Sequence, residues 1–157
     1  MPCRFTLTCE CPEATARAAR ALAARLRPGD TVLLAGPVGA GKTHFARAAI
    51  QSLLRAPEDV PSPSYTLVQT YPGRWGEIWH ADLYRLGEVS ELVELGLEDA
   101  FETAITLVEW PDRLGGLTPP QALRIRFEAP DDDDLRILAF DWTDDKWPEK
   151  LEPVRHG

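Results

Sequence analysis

Thr31-Val-Leu-Leu-Ala35, running directly into Gly36-Pro-Val-Gly39-Ala-Gly41-Lys42-Thr43, is the stretch that decides the fold. The first five residues are a short, nearly wholly apolar run, the kind that suits a strand covered on both faces. The octet after it matches GxxxxGK[ST]. Beyond the octet, residues 42–54 (KTHFARAAIQSLL) carry Phe45, Ala49 and Leu53 on one face and predict a helix. Strand, glycine loop and helix together form a phosphate-binding unit. Glycines let backbone N–H groups converge on a phosphate, and the helix starting at the loop adds the positive end of its dipole. In that arrangement Lys42 reaches the β and γ oxygens of a nucleotide, and Thr43 offers a hydroxyl to magnesium. Gly36, Pro37, Val38, Gly39, Ala40, Gly41, Lys42 and Thr43 are therefore the candidate nucleotide-binding residues. The competing reading is a plain glycine turn between strand and helix.

Working outward, residues 4–9 (RFTLTC) alternate like a strand, and residues 12–26 set alanine and leucine at helical spacing behind Pro12. Residues 56–64 hold three prolines and read as a loop, after which 66–71 and 77–80 predict a hairpin. Residues 88–101 suit a helix interrupted near Gly96, and residues 104–108 form a second apolar strand. Residues 122–128 and 135–142 alternate as a hairpin joined by Asp131–Asp134. Strands alternating with helices predict an α/β fold of the P-loop NTPase kind: three layers, α/β/α, with a mostly parallel central sheet and antiparallel additions. The expected organisation is a single ATPase domain over residues 1–145 and a flexible acidic tail over 146–157.

The 157 residues are 44% apolar and 27% charged, which excludes a disordered or membrane chain and leaves room for one domain with a real core. No apolar run reaches the roughly 18 residues of a membrane span, and the expected location is the cytoplasm. The formal net charge is −8, with 10 acids against 4 bases in residues 128–157. Such a chain is a poor candidate for holding nucleic acid by its own phosphate contacts. Cys3, Cys9 and Cys11 lack the paired spacing of a zinc site and are expected to be free thiols. There is no asparagine in the sequence, so the NKxD motif that reads guanine is absent, which argues against a conventional GTPase. Lysine is almost missing: only Lys42, Lys146 and Lys150 occur beside 14 arginines. One lysine in the first 145 residues, inside the glycine octet, suggests a task that arginine cannot perform.

Turnover requires a carboxylate near the metal, and two candidates follow the octet. Residues 104–108 end in Glu109, the hydrophobic strand plus acid of a Walker B element, with glutamate where aspartate is commoner. Its alternative is a surface glutamate opening a Glu-Trp-Pro turn. Asp82, in His80-Ala-Asp82, is the second; if the strand extends that far, both side chains lie on one side of it. Asp82 could take magnesium through water or position the attacking water, against a helix N-cap or turn role. His80 is equally consistent with a hydrogen-bonded core histidine. The Pro61-Ser-Pro-Ser64-Tyr65-Thr66 loop places hydroxyls where a γ-phosphate sensor would sit. Arg85 and Arg113 could meet phosphate or make structural ion pairs, and Trp110 could pack on substrate, partner or core.

Taken together, GPVGAGKT, VPSPSYTLV, HADLYRL and VEWPDRL, in this order and in a chain this short, resemble the bacterial TsaE (YjeE) ATPases of tRNA threonylcarbamoyladenosine synthesis. The resemblance runs from about residue 8 to 142. The first motif is widespread; the other three together are specific. The resemblance implies an ATP- and Mg2+-dependent P-loop ATPase working with TsaB and TsaD, the latter transferring a threonylcarbamoyl group to adenosine 37 of tRNAs that decode codons beginning with A. It implies Thr43 and Glu109 at magnesium, Asp82 needed for turnover, and an adenine near Cys11 at the start of the first helix. TsaB and TsaD would supply most of the tRNA contact. Ser64 stands where the family usually has threonine, so the hydroxyl is kept. The rival readings are a small-molecule or nucleoside kinase, and a nucleotide-gated binding module in which hydrolysis is incidental.

Overall fold

The structure, a computed structural model, describes residues 3–56, 60, 67–88, 90–130 and 134–156. In chain order the elements are β1 (Arg4–Cys9), α1 (Pro12–Ala23), β2 (Thr31–Ala35), α2 (Lys42–Leu53), β3 (Val68–Pro72), β4 (Glu77–Asp82), α3 (Ser90–Leu95), α4 (Leu97–Thr103), β5 (Ile105–Glu109), a 3-10 segment (Pro111–Leu117), β6 (Leu123–Glu128), β7 (Arg136–Asp141) and α5 (Trp147–His156). The seven strands form one sheet in the order β1-β7-β6-β2-β5-β4-β3. Its centre, β6-β2-β5-β4, is parallel throughout. The margins are antiparallel: β3 on β4 at one side, β7 on β6 and β1 on β7 at the other. The α/β architecture expected from the sequence is the one observed.

The apolar strands are apolar because both faces of the sheet are covered. Along β2, Val32 and Leu34 pack with Phe45, Ala49 and Ile50 of α2 and Leu22 of α1. Leu33 points the other way, into a cluster with Leu92 of α3, Leu97 and Phe101 of α4, and Leu114 of the 3-10 segment. The strand period of two thus sorts β2 between two cores. The same alternation in β5 puts Ile105 and Leu107 on the α1/α2 side and Val108 on the other. Glu109 has the parity of Leu107, which aims a carboxylate at the side where α2 begins.

Among the boundaries that differ from expectation, two have clear local reasons. Helix α1 stops at Ala23, because Arg25 and Leu26 donate to carbonyls three residues back and tighten the chain before Pro28. Strand β4 runs on to Asp82, since its partner β5 pairs residue for residue until Asp82 faces Glu109.

The flexible tail is corrected. Residues 147–156 form helix α5, and Trp147, Leu151 and Val154 are buried in the larger core. Trp147 Nε1–H donates to the Gln121 carbonyl at 2.7 Å. Lys146 and Lys150 both pair with the buried Asp30, each at 2.9 Å. Acids and prolines hid a 147/151/154 spacing that is an ordinary helical face.

Candidate functional site

The glycine loop turns sharply between β2 and α2, and two of its glycines are required by geometry. Gly36 has φ +139°, and a Cβ there would lie 2.6 Å from the Phe127 carbonyl oxygen. Gly41, at φ +101°, is the N-cap of α2 and offers no side-chain cap. The first amides of α2 have no intrahelical acceptor and stand at a cleft of about 550 Å³. Val38, Gly39, Gly41, Lys42 and Thr43 line that cleft, facing Asp82, Glu109 and Trp110. Gly36 and Pro37 are not among its lining residues, and Ala40 is buried in the core beneath the loop.

Lys42 is 4% exposed. Its Nζ donates to the Gly36 carbonyl at 2.5 Å and lies 3.4 Å from the centroid of the Trp110 ring. Burial pushes the Lys42 ammonium below the usual lysine range, against the pull of Glu109, Asp82 and Asp112. Trp110 itself has φ 61° and ψ 53°, and it is the single non-glycine residue with positive φ among the described residues. Such backbone costs about 1–3 kcal/mol. Here it turns the chain out of β5 and lays the indole over Lys42, with Tyr84 packed beside it at 5.0 Å between centroids.

Glu109 is 1% exposed, and both its oxygens are engaged. Oε1 accepts from the Thr43 hydroxyl at 2.7 Å, and Oε2 pairs with His80 Nε2 at 2.7 Å. Asp82 is half-buried at the cleft wall, its Oδ1 accepting the Tyr84 backbone N–H at 3.1 Å. Desolvation raises the Asp82 carboxyl above the usual aspartate range; the Tyr84 hydrogen bond opposes this and the nearby Glu109 adds to it.

Of the residues expected at the site, the structure brings Lys42, Thr43, Asp82 and Glu109 together in one cleft. Cys11 is exposed and does not line the cleft; its successors Pro12 and Thr15 do. His44 joins the two helix starts, its Nε2 lying 3.0 Å from the Pro12 carbonyl. Ser64 lies outside the described residues. Neither Arg85 nor Arg113 lines the cleft, and Arg113 donates to the Leu86 carbonyl at 3.3 Å instead. Arg136 was not anticipated. It reaches the cleft from the start of β7 and donates to the Gly39 carbonyl at 3.4 Å. Its local sequence gives no sign of this, because only the strand order brings β7 alongside the loop.

The donor set fits a magnesium–nucleotide complex. Among the described residues no group of three His, Cys, Asp or Glu could cage a metal. What the cleft provides is a hydroxyl and two carboxylates, with room for phosphates. Magnesium is bound in that way, by one or two carboxylates with the remaining positions filled by phosphate oxygens and water.

The family model "Threonylcarbamoyl adenosine biosynthesis protein TsaE" matches residues 9–137. The chain belongs to the TsaE family. It is 40% identical over 121 residues to the tRNA threonylcarbamoyladenosine biosynthesis protein TsaE of Rickettsia bellii, covering 77% of this chain and 84% of that one. The Bacillus subtilis TsaE is 34% identical over 127 residues, 80% of this chain and 78% of its own. Among solved structures, Bacillus subtilis YdiB superposes with a TM-score of 0.80 at 26% identity, covering 99% of this chain and 97% of YdiB. The TsaE match runs from the last residue of β1 to the start of β7 and leaves α5 outside it. No helix among the described residues is long and apolar enough to cross a membrane.

Proposed function

We propose that this TsaE-family chain binds and hydrolyses ATP with Mg2+, as an accessory to threonylcarbamoylation of adenosine 37 in tRNAs reading codons that begin with A, acting in the cytoplasm with TsaB and TsaD. The observation that carries the reading is the meeting of Lys42 and Thr43 with Asp82 and Glu109 in one cleft, at the carboxyl ends of adjacent parallel strands. That is where an open α/β sheet binds its ligand. In this reading Lys42 leaves the Gly36 carbonyl for the phosphate oxygens, a move for which its partial desolvation prepares it. The amides at the start of α2 take a second share of the phosphate charge. Magnesium, when bound, neutralises charge on the β and γ oxygens. Thr43 and Glu109 hold the metal side of the cleft, and Asp82, raised by burial, orients water at its rim. Pro12 and Thr15, with His44 fixing their approach, wall the end of the cleft where a base would lie.

The test is calorimetry of the purified chain with ATP and magnesium, followed by hydrolysis and tRNA product formation with and without TsaB and TsaD. Heat on binding, slow turnover alone and a changed rate with the partners are expected. No heat, or a rate indifferent to both partners, would refute the reading.

A further inference from the structure

We propose that His80 is a positioning residue that sets the orientation of the Glu109 carboxylate toward the metal side of the cleft. The inference rests on the ATPase reading above. His80 is 1% exposed and its Nε2 stands 2.7 Å from Glu109 Oε2, while Glu109 Oε1 accepts from Thr43 at the same distance. The carboxylate is thereby held at both ends. His80 reaches it because β4 and β5 run parallel with His80 beside Leu107 and Asp82 beside Glu109, so all but the apolar Leu107 present polar groups on one face.

The other ring nitrogen decides between positioning and packing. Among the described residues, His80 Nδ1 is buried with no hydrogen-bond partner. An unpartnered buried polar atom costs about 1–3 kcal/mol, so an imidazole that merely filled space would be worse than a leucine or phenylalanine. The single bond to Glu109 is what this ring contributes that an apolar side chain could not. Groups that orient a metal-binding side chain typically matter by about 10–100-fold in metal affinity or activity.

Two variants separate the possibilities. His80→Gln keeps an N–H donor at comparable reach; His80→Leu keeps the volume and removes the donor. Each is titrated with magnesium in the presence of saturating ADP by calorimetry, and metal-free ADP binding and thermal midpoint are measured beside it. For His80→Leu the expected result is a magnesium requirement raised by about 10–100-fold, with metal-free ADP affinity unchanged; His80→Gln should recover most of the loss. Wild-type magnesium binding in His80→Leu overturns the inference. So does an equal loss in both variants that follows the fall in thermal midpoint, which is the mark of a packing role. If the wild-type chain itself binds no nucleotide, the ATPase reading fails instead.

Discussion

Glu109 and Asp82 sit side by side at the ends of β5 and β4, yet their surroundings assign them different tasks. Glu109 is sealed from solvent between a hydroxyl and an imidazole, so its charge is fixed in place. Replacing it by glutamine keeps the shape and removes the charge. Glu109→Gln should retain ATP in calorimetry while hydrolysis falls on the order of 100-fold, as when one charge-stabilising group is removed. A nucleotide-gated module would keep its effect on partners in this variant, which a tRNA product assay would reveal. Asp82 has the opposite character. Burial raises its carboxyl above the unfolded aspartate value, so the folded state takes up its proton first. Between the two values the native protein binds more protons than the unfolded chain, and stability falls as pH rises. At neutral pH Asp82 is therefore a net cost. Asp82→Asn should raise the thermal midpoint at pH 7 to 8, with the gain shrinking as pH falls through the raised value toward the ordinary aspartate range, while turnover is lost. An equal or lower midpoint at pH 8 would contradict the burial argument. At this scale Lys42, Thr43 and Glu109 were readable because their chemistry is tied to fixed neighbours in sequence. Arg136 and the His80 contact were not, because each depends on a strand from elsewhere in the chain.

Among the elements, the glycine loop and helix α5 show how local pattern and tertiary demand part company. The strand, loop and helix over residues 31–53 follow from sequence, since the apolar run, the glycines and the helical face all agree. At Gly36 the reason is steric. A methyl group there would meet the Phe127 backbone oxygen of β6 at 2.6 Å, and backbone gives way poorly. Gly36→Ala should lower stability by about 1–3 kcal/mol through strain and displacement of the loop, and weaken ATP binding in the same calorimetric experiment. Helix α5 was missed because its three apolar residues are diluted by Pro148, Pro153 and acidic neighbours. Its anchor is Trp147, fully buried and bonded through its indole N–H to Gln121. Trp147→Ala should cost about 3–5 kcal/mol, measurable in urea as a fall in midpoint. A change within 1 kcal/mol would restore the view of α5 as a loose appendage. Lys146 and Lys150 add a second attachment through Asp30. The only lysines outside the glycine loop are thus spent on one buried aspartate.

For the whole molecule, the order β1-β7-β6-β2-β5-β4-β3 explains why so much of the site could be read and why its rim could not. A parallel centre brings the ends of β2, β4 and β5 to one edge, and motifs placed just after apolar strands must then meet there. The β3–β4 and β6–β7 hairpins follow from their alternation, whereas the pairing of β6 with β2 and of β1 with β7 joins distant segments that alternation does not specify. Charge acts at the same scale. The chain carries −8 overall, and nucleic-acid binding draws much of its strength from basic side chains that neutralise phosphates and set free their condensed counterions. Alone, the protein should bind unmodified tRNA no more tightly than about 10⁻⁶ M at physiological salt, the upper range of non-specific binding. Filter binding across a salt series measures this directly. Binding tighter by tenfold or more, with a steep fall as salt rises, would mean that the arginines assemble a basic face strong enough to outweigh the net charge. In that event this chain would contact tRNA itself during the modification, and would not act only through TsaB and TsaD.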